Sequence, residues 1–112
     1  IDTTPIQGQM IDLARFGELG REGVLALLCE STNAERPGFA MSEQKVGGSL
    51  RGIFRDAEKK RIIIATFASN VDRVQQIINV AVENGRKVAV SGRSMVNVLE
   101  VARELGYMKV PN

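Results

Sequence analysis

Histidine and tryptophan are absent from this 112-residue sequence, and cysteine occurs once, at Cys29. A chain with no imidazole and a single thiol cannot assemble a zinc site from its own side chains, so a self-contained zinc enzyme is excluded. Carboxylate-only magnesium sites stay open in principle, yet the acids are scattered along helical segments and form no Asp-x-Asp cluster. One cysteine also excludes an internal disulfide, and no apolar run approaches the roughly 18 residues of a membrane span. Together these absences predict a reducing, cytoplasmic setting and no membrane partner. No leader-like segment is visible, and the opening at Ile1 directly on Thr3-Thr4-Pro5 is what a piece of a longer protein is expected to show.

What is present is ordinary for a globular chain: 44% hydrophobic and 25% charged residues, enough to bury the core of one modest domain. Fifteen basic residues against thirteen acidic ones, with a pI near 9.0, are compatible with a phosphate-bearing partner without requiring one.

Pro5 and Gly8 discourage regular structure over 1–9. Met10, Ile11, Leu13, Ala14, Phe16 and Leu19 then predict a helix over 10–19 capped by Gly20, with Asp12 and Arg15 on the other face. The apolar run 24–29 reads as a buried strand feeding a long polar loop that reaches about residue 41. Ser42 suits a helix N-cap, and Val46, Leu50, Ile53, Phe54 and Ala57 share one stripe behind it. Gly47 and Gly48 predict a helix start that is either frayed or locally close-packed. Lys59, Lys60 and Arg61 close this helix, either as complements of its negative end or as an RNA-binding patch.

The β-branched run 61–67 reads as a central strand. Ser69 or Asn70 can cap the next helix, whose stripe is Val71, Val74, Ile77, Ile78 and Ala81 and whose end is Gly85. A third strand is expected over 87–91, and a last helix carries Met95, Val98, Leu99, Ala102 and Leu105 inward and stops at Gly106.

Strand and helix alternate three times, which predicts the α/β class: a Rossmann-like parallel sheet with flanking helices and right-handed crossovers. The polar turns after Leu28, Thr66 and Val90 then share one edge. Helix starts flanked by Ser31, Thr32, Asn33, Arg36, Ser69, Asn70, Arg93 and Ser94 suit an anion such as phosphate. Each also has a plain structural reading: Ser94 as an N-cap, Arg36 and Arg93 as partners of nearby carboxylates, Ser31-Thr32-Asn33 as turn formers. Cys29 reads as a buried packing residue. Neither a Gly-x-Gly-x-x-Gly fingerprint nor a Walker-type Gly-Lys-Ser/Thr occurs, so no nucleotide cofactor is indicated.

The run from Glu30 through Ser31-Thr32-Asn33-Ala34-Glu35-Arg36-Pro37 to Gly38, followed by Thr66-Phe67-Ala68-Ser69-Asn70 and Gly92-Arg93-Ser94-Met95, resembles the β-CASP region of bacterial ribonuclease J. The lead-ins Thr4-Pro5-Ile6 and Asp12-Leu13-Ala14-Arg15 extend the resemblance over essentially the whole chain. Ribonucleases of this type are zinc-dependent members of the metallo-β-lactamase superfamily. The resemblance implies that 1–20 are a connecting segment and helix from the metallo-β-lactamase domain and that 21–112 are a partial β-CASP domain. It further implies a parent enzyme that hydrolyses RNA phosphodiesters as a 5′-to-3′ exonuclease and an endonuclease, in rRNA processing and mRNA decay. Zinc would be held by residues outside this sequence, the fragment alone would be inactive, and the partners would be RNA and further copies of the chain, as a dimer or tetramer. Glu30 would occupy the acidic position that opens the β-CASP segment, where the family more usually has Asp, and would position a histidine acting as proton donor. The rival reading is a non-catalytic Rossmann-like module that binds a phosphorylated ligand or a protein partner.

Overall fold

Every predicted amphipathic stretch becomes a helix, and three of the four begin at a side chain able to accept the backbone N–H groups that a first turn leaves unpaired. The computed structural model of the chain describes residues 2, 4–6, 8 and 10–110. Its elements are α1 (Leu13–Glu22), α2 (Glu43–Asp56), α3 (Val71–Glu83) and α4 (Arg93–Glu104). Asp12 accepts from Arg15 N at 2.9 Å, Ser42 from Gln44 N at 3.3 Å, and Asn70 from Arg73 N at 3.0 Å. Gly92 precedes α4 without any side-chain cap, so Ser94 lies inside the helix and does not cap it.

The ends of α3 and α4 follow one rule. Past α3, Gly85 at φ 63° lets Arg86 N reach Ala81 O at 2.8 Å while its own N reaches Val82 O at 2.9 Å. Past α4, Gly106 at φ 78° does the same for Tyr107 N to Ala102 O, 2.8 Å, and Gly106 N to Arg103 O, 3.1 Å. Both are Schellman closures, which need a residue at ease with positive φ. Helix α1 runs through Gly20, the expected stop, and ends at Gly23. One glycine costs a helix only about 1 kcal/mol, and Arg15 ties the last two turns together through Glu18 at 2.9 Å and Glu22 at 3.3 Å.

Helix α3 is the centre of the packing. Val80 and Ala81 meet Leu50 and Phe54 of α2, while Val74 and Ile78 meet Ala102 of α4 and Met108 beyond it. Two clusters on two sides of one helix explain why Val80, at 1% exposure the most buried of these residues, fell outside the single predicted stripe. The tail after α4 is held by Gln75, whose amide donates to Lys109 O at 3.0 Å and accepts from Lys109 N at 2.7 Å.

Helices α2 and α3 run side by side in the same direction. Glu43 and Arg73 pair near their starts, and Arg51 and Glu83 pair farther along at 3.0 Å and 3.2 Å. Between these pairs Gly47 is buried against Gln76, close enough that an added Cβ would sit 2.6 Å from Gln76 Oε1. Of the two outcomes open to the Gly47-Gly48 start, close packing is the one observed. Two parallel neighbours need a return path, which 57–70 supply.

The expected α/β architecture, a Rossmann-like parallel sheet, is not what the structure contains. Among the described residues there are four helices and no strand: 24–29, 61–67 and 87–91 are irregular and make no ladder hydrogen bonds. Leu25 and Leu28 are 105% and 93% exposed, and Ile63 and Phe67 are 87% and 80% exposed, where a central strand would bury them. The radius of gyration is 17.7 Å, against about 13 Å for a compact domain of this length. β-Branching and apolarity report that a segment favours an extended backbone and covered faces. They do not report the pairing partner, which is a long-range matter, and these three segments lack one. Cys29, expected to be buried at a strand end, is exposed for the same reason.

Candidate functional site

The loop after 24–29 is built from consecutive tight turns. Glu30 Oε1 accepts from Thr32 N at 2.6 Å, Ala34 N donates to Ser31 O at 3.0 Å, and Arg36 N donates to Asn33 O at 3.0 Å. The Thr32 hydroxyl and amide, in that order, hold the Glu30 carboxyl below the usual glutamate range, the amide making the well-formed bond. Short polar side chains bonding their own backbone are what Glu-Ser-Thr-Asn chemistry favours in a turn. The loop is exposed throughout, Arg36 included. Glu30 Oε1 thus anchors the turn, while the carboxylate as a whole stays exposed.

The second turn, at Ala68 and Ser69, leads into α3. Asn70 spends its side-chain oxygen on the helix start and is half-buried, whereas Ser69 is exposed. At the third, Arg93 and Ser94 form the exposed first turn of α4. No hydrogen bond or ion pair joins the three turns among the described residues. Chemically, then, the structure offers an exposed, ionised carboxylate at Glu30 and three separate polar turns carrying Ser, Thr, Asn and Arg groups suited to oxyanions.

Two polar groups escaped the sequence reading. Thr66 Oγ1 is buried without a hydrogen-bond partner among the described residues, beside a 380 Å³ cavity lined by Ile64, Val74, Ile78, Val90 and Met95. Arg86 reaches back from the end of α3 to the carbonyls of Ala57, Glu58 and Lys60, the last two at 2.9 Å and 2.8 Å. It thereby ties down the turn that follows α2, a closing role expected of Lys59, Lys60 and Arg61. The signal available was an Arg directly after a Gly that closes a helix, a position set to face a neighbouring helix end.

The donor set does not fit zinc. Histidine is absent, Cys29 is isolated, and among the described residues no three His, Cys, Asp or Glu side chains gather closely enough to hold a metal ion. Among those residues, too, no helix is long and apolar enough to cross a membrane.

Sequence comparison gives these features a context. Residues 59–112 match the family model described as ribonuclease J, beta-CASP domain. Along nearly its whole length the chain is also similar to proteins named for the same enzyme. Ribonuclease J of Mycolicibacterium smegmatis is 53% identical over 110 residues, 98% of this chain and 20% of that protein. Ribonuclease J of Synechocystis is 51% identical over all 112 residues, 17% of its length, and ribonuclease J2 of Bacillus subtilis is 46% identical over 108 residues, 96% of this chain and 19% of its own. The matches define the class first: this is β-CASP-type sequence. Within that class the matches are to ribonuclease J: the family model covers 59–112, just under half of the chain, and the chain as a whole is similar to ribonuclease J proteins, spanning about a fifth of the length of the curated relatives it matches.

Proposed function

We propose that these 112 residues are part of a metal-dependent ribonuclease that hydrolyses RNA phosphodiesters from the 5′ end and also internally, in rRNA processing and mRNA decay in the cytoplasm. The observation that carries this reading is similarity of about 50% along the whole chain to several proteins named ribonuclease J. In this reading the catalytic zinc is held by side chains outside the chain, in keeping with a donor set that has no histidine. The chain itself supplies polar wall. Glu30 is a positioning residue that orients a histidine through its exposed carboxylate, while Ser31, Thr32, Asn33, Arg36, Ser69, Asn70, Arg93 and Ser94 contact RNA phosphates as hydrogen-bond donors and cations. The working enzyme is a dimer or tetramer.

The test is cleavage of 5′-monophosphorylated, 3′-labelled RNA by the complete protein and by the 112-residue chain, each dialysed against chelator and then given zinc. Zinc-restored cleavage by the complete protein with none by the chain alone supports the reading. Zinc-dependent cleavage by the purified chain would overturn the assignment of the metal site to other residues, and no cleavage by the complete protein would overturn the ribonuclease reading.

A further inference from the structure

The charge of the chain is concentrated at one place. Residues 55–61 with Arg86 and Lys87 hold six cations and two acids, a net of +4 where the whole chain carries +2, so the remainder is net negative. The fold brings these residues together: Arg86 lies against the backbone of 57–60, Arg61, Arg86 and Lys87 border one cavity, and Arg55, Glu58 and Arg86 border another.

A run such as Lys59-Lys60-Arg61 after a helix is ordinarily explained by the helix's own unpaired carbonyls. Here none of the three makes a side-chain hydrogen bond to such a carbonyl among the described residues, and the carbonyls just past the helix, of Ala57, Glu58 and Lys60, are taken by the Arg86 guanidinium. Arg55, Lys59, Lys60, Arg61 and Lys87 are all exposed and make no ion pair or side-chain hydrogen bond among the described residues, and neither do the two nearby acids, Asp56 and Glu58. Arg86 occupies itself with the fold, and the other five cations face solvent.

We propose that this basic edge is a second RNA contact, taking the phosphate backbone of a single strand without regard to sequence. It rests on the ribonuclease reading for the identity of its polyanion. Its place is distinct from the second polar turn: it lies beyond the end of α3, whereas Ser69 and Asn70 lie before its start, about 20 Å away along the helix. Phe54, the aromatic ring nearest the edge, is buried under Arg86 and offers no face for base stacking, so the contact is electrostatic and salt-sensitive.

The experiment uses the complete protein with Lys59→Gln, Lys60→Gln and Lys87→Gln combined, and a second variant with Arg at the same three positions. Fluorescence anisotropy follows a labelled 20-nucleotide phosphorothioate oligouridylate across a salt series, and cleavage of a trinucleotide, too short to span both places, is measured in parallel. Each lost phosphate contact removes about 0.7 from the slope of log affinity against log salt. The Gln variant therefore loses about 2 from that slope and about 10- to 100-fold in affinity at low salt, the Arg variant keeps both, and trinucleotide cleavage is unchanged. An unaltered slope overturns the proposal, as does a Gln variant that loses binding to poly-glutamate but not to RNA, which would assign the edge to an acidic protein surface. Failure of the ribonuclease reading shows separately, as no trinucleotide cleavage by the unsubstituted protein.

Discussion

The guanidinium of Arg86 lies 5.7 Å from the centre of the Phe54 ring while it donates to carbonyls beyond the end of α2. One side chain thus covers the buried aromatic of a neighbouring helix and closes that helix's end. Charge-assisted hydrogen bonds contribute about 1.5 to 3 kcal/mol, and a stacked cation adds about 0.5 to 1 kcal/mol. Arg86→Ala is expected to destabilise by about 2 to 3 kcal/mol in urea unfolding, and Arg86→Lys to recover less than half, since an ammonium cannot span three carbonyls in a plane. Equal stability of the Arg and Lys forms would refute the fork arrangement.

The glycines of α2 separate two effects. Gly48 has open space where a Cβ would go, so Gly48→Ala should gain the full helix preference, about 0.5 to 1 kcal/mol. At Gly47 the added methyl displaces the Gln76 amide, whose Nε2 donates to Glu43 O at 3.3 Å. That lost bond offsets most of the gain, and Gly47→Ala should be near neutral. Melting temperatures of the two variants, measured side by side, decide the point: equal stabilisation would show that Gln76 moves aside without cost.

The Asp2 carboxylate accepts from Thr4 N at 2.9 Å, Ser42 Oγ at 2.9 Å and Glu43 N at 3.2 Å, fastening Asp2 to the start of α2. These bonds, that from Thr4 N foremost, lower its pKa below the ordinary aspartate value. A depressed carboxyl pKa means the fastening is fully present above the unfolded value, near ~3.9, and is lost as pH falls through the lower folded value. Hydrogen exchange at Glu43 N should therefore be slow at neutral pH and accelerate only well below pH ~4. Asp2→Asn should exchange fast at every pH, and protection unchanged by that substitution would remove Asp2 from the cap.

The helices were legible because their causes are local. Ser42 and Asn70 announce their helices by an acceptor placed two or three residues before an N–H, and Gly85 and Gly106 announce the ends by tolerating positive φ. The sheet was misread because its cause is not local. The run Ile62-Ile63-Ile64 specifies an extended backbone, but a ladder needs a second segment delivered alongside, and no residue in the run encodes that. Arg86 was missed on the same ground, since it acts on carbonyls more than twenty residues earlier in the chain. In the candidate site, the turn at Glu30 followed from Ser-Thr-Asn chemistry, whereas the cap expected of Ser94 failed because Gly92 starts α4 earlier.

Exposed apolar side chains predict how the separate chain behaves. Leu25, Leu28, Ile63 and Phe67 are each at least four-fifths exposed, and burying one such side chain is worth about 1.5 to 3 kcal/mol. The isolated 112-residue chain should self-associate at micromolar concentration, and Leu25→Asp with Ile63→Asp should shift it toward monomer. A sedimentation profile showing only monomer for the unsubstituted chain at high micromolar concentration would contradict this.

Glu30 offers the sharpest test of the functional reading, because its two oxygens imply different consequences. Oε1 holds the turn through Thr32 N, and losing a capping bond of that kind costs about 0.5 to 2 kcal/mol of stability with turnover per folded molecule unchanged. The carboxylate is exposed, and if its second oxygen orients a histidine that donates a proton, Glu30→Gln in the complete enzyme should lower the single-turnover rate by about 10²- to 10⁴-fold while RNA binding stays within a few fold. Gln keeps an oxygen for Thr32 N, so the turn survives and a rate loss cannot be blamed on unfolding. Glu30→Asp retains the charge on a side chain one methylene shorter and should lie between the two in rate, with a cost set by reach. A Gln variant that cleaves at the unsubstituted rate would confine Glu30 to the turn.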